Sequence, residues 1–417
     1  MLVTTFLHRN ITSRVEALLD QFPVVVLRGS RGTGKTTLAR RIADDRGGAF
    51  LSAERAASAG VGRGHGFTVI DDIFDATPGR EVIDAVRAAA ENTRRPGTFL
   101  LTSSSDPHRE GADATGLEGW TVAVPLLGLS RGEFLGRQDD LVTAVLEGAL
   151  ESTTSAPTPT GRQELLARGS YPGLGATDPS DPCDTAGWYR DYLTDLVTRD
   201  VPSLVDVDDP SRIRALLGAL AENQAGELTI ADLAAQTDIP ASTVSTYVDL
   251  LQNLLVLDVI PAWVPGVSAQ EIQRPTAVLT DSGLAMILGA TDHGLLKGFV
   301  LAELGRQSTW TEHRFRIHTY RNGSGRAADA ILELRDGRVI AIQVPGENGT
   351  PTEDAASDLE FLRDHLGKRF IAGIIIGADG SGYRSLGERV WEVPLSVLWE
   401  LNTLNTPNAD PDGSPEE

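Results

Sequence analysis

The chain has 417 residues and a formal net charge of −21, from 58 Asp and Glu against 37 Lys and Arg. That length exceeds one ordinary hydrophobic core and predicts two or three domains, while the acidic balance opposes a protein that coats nucleic acid or an anionic membrane surface. The single cysteine, Cys183, can neither close an internal disulfide nor complete a thiolate metal site, which suits a reducing, cytoplasmic setting. No stretch approaches about eighteen uninterrupted apolar residues, so no secreted or membrane-spanning segment is expected.

Apolar residues at Ile11, Val15, Leu18 and Leu19 have helical spacing and lead into Val24-Val25-Val26-Leu27, which reads as a buried strand. Gly29-Ser30-Arg31-Gly32-Thr33-Gly34-Lys35-Thr36 follows and matches the phosphate-binding loop at every fixed position. A helix is predicted from Thr37 onward. Strand, loop and helix in this order turn backbone N–H groups toward phosphate oxygens, and the helix N-terminus adds partial positive charge. The expected cofactor is therefore ATP with Mg²⁺, held by Gly29 through Thr37. Lys35 would reach the β- and γ-phosphates, and the Thr36 hydroxyl would ligate Mg²⁺.

Ala49-Phe50-Leu51-Ser52 reads as a short strand, and the glycine-rich 59–66 stretch as a connection. Phe67-Thr68-Val69-Ile70 then delivers Asp71-Asp72, about thirty-five residues beyond the loop. Asp71 is expected to hold the metal through water and Asp72 to polarise an attacking water. After a helix carrying Val82, Ile83, Val86 and Ala89, the strand Thr98 to Ser103 ends in the hydroxyls of Thr102 and Ser103, placed to sense the γ-phosphate or its water. Alternating strands and helices predict an α/β domain with a parallel sheet and a site at its carboxyl edge.

The GSRGTGKTTLA loop, the VIDDI strand end, the FLLTSSS strand and the following VAVPLLGLSRGEF together resemble bacterial and archaeal AAA-type P-loop ATPases whose C-terminal half is an uncharacterised, nuclease-like domain. Asp72 stands where that family has Glu, Ser103 where it has Gly, and Gly119-Trp120 where it has Gly-Arg. The change at Trp120 removes an arginine-finger candidate, and such a finger contributes about 10³ to 10⁵ in rate. Binding is thus better supported than fast turnover.

A helical pattern over 139–150 precedes a polar, low-complexity loop at 151–160. Gly169 to Gly173 and Trp188 to Asp200 resemble the family's helical lid, with Arg199-Asp200 matching its Arg-Asp pair; read from charge alone, that pair is an exposed one at a helix end. From Glu227 to Trp263 the chain reads as a helix-turn-helix within a winged-helix module. Thr229 is expected to cap the first helix, Thr237 to Pro240 to turn, and Val244, Tyr247, Val248 and Leu251 to mark the second. No Lys or Arg occurs between Arg214 and Arg274, which disfavours DNA recognition there. Thr276 to Leu284 is expected to open the last domain.

Helix 296–306 carries Glu303, and strands follow at 316–320, 328–334, 338–344 and 370–376, with a turn at Asp336-Gly337. This order resembles the family's restriction-endonuclease-like core, whose active members use a helical Glu, a strand Asp and a Glu-x-Lys pair. Glu303 and Asp329 match; Gln343 and Pro345 replace the pair, so nuclease activity is not expected. The expected divisions are 1–135 for the nucleotide domain, 136–210 for the lid, 211–265 for the winged helix, 266–402 for a degenerate nuclease-like domain, and 403–417 for a disordered acidic tail. The reading is a weak Mg²⁺-dependent ATPase that switches an unknown protein partner, with oligomerisation compatible. Its rivals are a nucleotide-gated module with little turnover and a DNA-processing protein.

Overall fold

Val24, Val25, Val26 and Leu27 offer apolar side chains to both faces of a strand, and all four are buried in β1 (Val24–Arg28), at the interior of a sheet. The computed structural model describes residues 7–61, 66–73, 79–104, 119–152, 161–174, 184–202, 204–205, 209–266, 271–344, 346, 353–377 and 382–401. Cys183, the 153–160 stretch, residues 62–65, Pro345 and the 403–417 tail lie outside them. β2 (Ala49–Ser52), β3 (Thr68–Asp71), β4 (Phe99–Ser103) and β5 (Thr121–Pro125) complete a five-stranded sheet in the order β2-β3-β4-β1-β5, parallel throughout. The fold class is α/β, as expected.

Register fixes the working edge of this sheet. Val24 pairs with Phe99 and Thr121, and Ile70 pairs with Leu101, so Arg28, Asp71 and Thr102 all fall at the strands' carboxyl ends. Helix Lys35–Asp45 packs back onto the strands through Leu38, Ala39, Ile42 and Ala43, and helix Gly79–Thr93 supplies Val82, Ile83, Val86 and Ala90 to the core around Ile70 and Leu101. Burying one such aliphatic side chain contributes about 1.5–3 kcal/mol, which makes these stripes the main support of the edge.

The described chain forms two compact units. The first draws on Met1–Ser130, Leu166–Ile260 and Arg274–Ala302, the second on Arg131–Leu165, Pro261–Gln273 and Glu303–Glu417. Besides the parallel sheet, the first holds helix Thr185–Asp195, which runs on into a π-helical turn, Leu196–Asp200. Helix Pro210–Glu222, with Asp209 capping and Pro210 in its first turn, leads to β6 (Gly226–Glu227), helices Ile230–Thr237 and Ala241–Asn253, β7 (Leu257–Ile260) and β8 (Thr276–Leu279). These strands form an antiparallel sheet in the order β6-β8-β7. Thr229 occupies the N-cap position of its helix, yet its side chain makes no capping bond. Asp238 ends that helix in the left-handed conformation, with φ of 55°.

Two expected boundaries shift. Strand Thr276–Leu279, expected to open the last domain, pairs instead with β6 and β7, because its four buried residues complete their small sheet. Residues 131–152, expected to divide between the nucleotide domain and the lid, belong to the second unit. The helix expected over 139–150 is there two short ones, Leu141–Leu146 and Ala149–Ser152, separated by Gly148 at φ of 80°.

The second unit is built on a mixed six-stranded sheet: β9 (Phe315–Arg321), β10 (Ala327–Leu334), β11 (Val339–Gln343), β12 (Phe370–Ile376), β13 (Arg384–Gly387) and β14 (Val390–Val393), in the order β13-β14-β12-β11-β10-β9. Helix Glu353–Leu366 covers one face with Ala355, Leu359 and Leu362. Among the described residues no helix is long and apolar enough to cross a membrane.

Candidate nucleotide site

Gly34 closes the loop at φ of 91° and serves as the N-cap of helix Lys35–Asp45, a conformation that any side chain would strain. Gly29 is required for space instead: a Cβ there would lie 2.3 Å from the Leu126 carbonyl oxygen, on the backbone that follows β5. Inside the loop the Lys35 ammonium, 6% exposed, donates to the carbonyls of Gly29 at 2.8 Å and Ser30 at 3.2 Å. The Thr33 hydroxyl donates to Ser30 at 2.9 Å. The loop's carbonyls are thus engaged by side-chain donors. The helix starts at Lys35, with Thr36 and exposed Thr37 in its first turn, and the N–H groups of a first turn are what make a helix start an anion site.

Arg9 was not singled out in the sequence, yet it braces this loop. Its guanidinium donates to Thr33 at 2.8 Å, Leu127 at 2.8 Å and Gly128 at 3.3 Å, with the residue 5% exposed. A lone Arg ahead of a helix carries no pattern. Only the fold, which brings residues more than a hundred positions apart together, reveals its role.

At the sheet edge the expected metal residues meet. The Asp71 carboxylate accepts from the Thr36 hydroxyl at 3.2 Å and from the Thr102 hydroxyl at 2.6 Å. Thr102 is fully buried and in turn accepts the Asp72 N–H at 2.9 Å, so its hydroxyl fixes both acidic residues. Asp72 turns away from the strand at φ of 52°, a left-handed conformation that Asp tolerates better than most residues, and its side chain is exposed. A carboxylate and a hydroxyl converging at this edge form a hard oxygen donor set, the type Mg²⁺ takes while retaining several waters. Trp120 lies at the opposite edge of the sheet: its carbonyl accepts the Val24 N–H, and Arg94 sits 5.5 Å above its ring.

A second group of residues covers the loop. Asp200, expected as half of an exposed charge pair, is instead 7% exposed and takes the Arg31 guanidinium in a bidentate grip, with Nε at 3.0 and 3.1 Å from its two oxygens. The charge-only reading fails because Asp200 faces the loop rather than Arg199. Tyr171, Trp188 and Tyr192 pack together beside it, with the Tyr171 hydroxyl donating to that of Tyr192 at 2.7 Å. Burial pushes both phenols well above their ordinary titration range. Asp281 pins the preceding turn by accepting from the Ser170 N–H and hydroxyl, each at 2.7 Å.

In the second unit the residues that would make a nuclease site are otherwise occupied. Glu303, 1% exposed, accepts from Arg306 at 2.8 Å and from the Arg131 N–H at 3.0 Å. Asp329 accepts the Val344 N–H at 2.9 Å, while the Gln343 amide donates to the Ala327 carbonyl at 2.5 Å and lies 3.5 Å from Asp358. Among the described residues no group of three or more His, Cys, Asp or Glu side chains is arranged to hold a metal. Purified protein should leave supercoiled plasmid and single-stranded DNA uncut with Mg²⁺ or Mn²⁺, with or without ATP. Cleavage that vanishes in Asp329→Ala would contradict this.

The parallel sheet, the turned loop at the end of β1 and the carboxylate on β3 define the first unit as a P-loop α/β domain. Residues 160–294 match a domain of unknown function, DUF8612, a stretch that contains the loop-covering residues and the β6–β8 sheet. The chain is similar to the uncharacterized protein Rv2008c of Mycobacterium tuberculosis, 24% identical over 387 residues that span 83% of this chain and 82% of that one. Among solved structures it is similar to the Walker-type ATPase PABY2304 of Pyrococcus abyssi, at 14% identity and a TM-score of 0.45, covering 68% of this chain and 96% of that one. It is also similar to AMPPCP-bound DnaA from Aquifex aeolicus, at 16% identity and a TM-score of 0.24, over 58% of this chain and 85% of that one.

Proposed function

We propose that the chain is an AAA-type, Mg²⁺-dependent ATP-binding protein that hydrolyses ATP slowly and acts as a nucleotide-driven switch on a protein partner. The observation that carries this reading is the meeting of Thr36, Asp71 and Thr102 at the carboxyl edge of the sheet, where the phosphate loop also ends strand β1. Lys35 and the N–H groups of Gly29 to Thr37 would bind the phosphates; Thr36 and Asp71 would hold Mg²⁺, which when bound neutralises phosphate charge. Asp72, fixed through its own N–H to Thr102, would accept a proton from the attacking water.

The test is calorimetry with ATP, with and without Mg²⁺, on wild type and Asp71→Ala. Wild type should bind more tightly with Mg²⁺, and the variant should lose that gain, about tenfold in affinity, while still binding. An Mg²⁺ dependence unchanged in a folded variant would move the metal elsewhere. A second reading, a nucleotide-gated module with almost no turnover, is favoured by the short arm of Asp72 and by Trp120. Steady-state phosphate release separates the two.

A DNA-gripping role for a winged-helix module at 211–265 gains nothing from charge, since Arg214 to Arg274 encloses no basic residue. At physiological salt the protein should not shift a labelled duplex at micromolar concentration, and a salt-sensitive shift would revive that role.

A further inference from the structure

Every residue from Ser30 to Gly34 has a neighbour in the 171–200 segment or in Arg9. A Cβ on Gly32 would sit 3.4 Å from the Tyr171 ring and 3.8 Å from the Trp188 ring, and one on Gly34 3.7 Å from Pro172. Ser30 lies beside the hydroxyls of Tyr171 and Tyr192, and Arg31 is gripped by Asp200. Arg31 therefore points its fork at a carboxylate of the lid, although it belongs to the loop that cradles phosphate.

That arrangement raises an electrostatic problem. Asp200 is 7% exposed and lies one side chain away from a site built for a polyanion. A buried carboxylate so placed repels phosphate unless it is neutralised. Asp200 also belongs to the π-helical turn Leu196–Asp200, and single π turns recur where a side chain must be re-aimed for function. The same turn packs on helix Pro210–Glu222, which opens the three-helix portion of this unit.

Resting on the nucleotide-binding reading above, we propose that Asp200 is a positioning residue for the phosphate loop. It acts through Arg31, whose task is to neutralise Asp200 and tie the lid to the loop rather than to bind phosphate. The pair sets the loop's shape before nucleotide arrives and passes nucleotide occupancy to the aromatic cluster and the π-helical turn. Trp188 is the natural reporter of that transfer: it lies against Gly32 and stacks on Tyr192 at 5.4 Å and 10°.

The experiment is a double-mutant cycle on the full-length protein with Mg²⁺ and a non-hydrolysable ATP analogue. Affinity is read by calorimetry, and the response of Trp188 by emission, using Trp188→Phe to subtract the other tryptophans. Arg31→Ala removes the bidentate partner of the buried Asp200 carboxylate and should weaken binding about tenfold or more. Asp200→Asn in the Arg31→Ala background should restore most of that loss, yet leave the Trp188 response to nucleotide abolished. Arg31→Lys keeps the charge without the bidentate fork, so it should lose less affinity than Arg31→Ala while showing a reduced Trp188 response; it serves also where Arg31→Ala fails to fold.

A double variant as weak as Arg31→Ala alone would make Arg31 a phosphate ligand and overturn the proposal. So would wild-type affinity in Arg31→Ala, or a full Trp188 response in the double variant. The two readings fail differently. Wild type that binds no analogue sinks the nucleotide assignment and this proposal with it, whereas tight wild-type binding without rescue sinks only the role of Asp200.

Discussion

Lys35→Ala should raise the dissociation constant for Mg·ATP by about 100-fold or more, the loss of roughly 2.7 kcal/mol of charge-assisted bonding. The side chain is almost wholly enclosed, and its ammonium is held between the carbonyls of Gly29 and Ser30, so no solvent screening softens its removal. Lys35→Arg should fare little better, because a planar fork does not fit a space shaped around a point charge. The fold should survive, since Ser30 keeps its bond from Thr33 and Arg9 continues to hold Thr33. Calorimetry beside a thermal melt separates the two effects. Equal affinity in a folded Lys35→Ala variant would end the phosphate-loop assignment.

Loop, strand and carboxylate were legible because each is local: a β-branched run, a fixed glycine spacing and an acidic strand end describe their own geometry. Asp71 and Thr36 meet as that pattern implies, and the strands at 24–28, 68–71 and 99–103 align in parallel as alternating elements should. Arg9 and Asp200 were not legible as partners of the loop. Each acts across more than a hundred residues or through a carboxylate whose burial depends on the aromatic cluster, and neither distance nor burial is written in a local pattern. Strand Thr276–Leu279 misled for a related reason. A short apolar strand announces itself but not its partner, and β6 and β7 of the first unit claim it by hydrogen bonding. Glu303 has the residue type and helical position that the nuclease resemblance implies; only packing shows its carboxylate turned to Arg306 and the Arg131 N–H.

That buried pair carries the largest stability effect expected in the second unit. Glu303→Ala removes the carboxylate from an arginine that is 3% exposed and takes away the acceptor of the Arg131 N–H. Breaking a buried ion pair from one side costs about 3–5 kcal/mol, because the remaining charge has no water to turn to. Against a domain stability of about 5–15 kcal/mol, that should lower the melting transition of this unit by on the order of 10 °C. Burial, acting against Arg306, holds the Glu303 carboxyl above its usual value of 4.5. A raised acid favours the folded state most below its unfolded pKa, and that contribution is lost as pH rises through the folded value; the alanine variant should lack this segment of the pH dependence. The raised value also means that Arg306 does not fully offset the desolvation of Glu303. Replacing both residues, Glu303→Leu with Arg306→Met, should therefore recover most of the stability lost in Glu303→Ala. Scanning calorimetry of the three proteins decides the point, and a Glu303→Ala protein that melts like wild type would show that the pair bears no load.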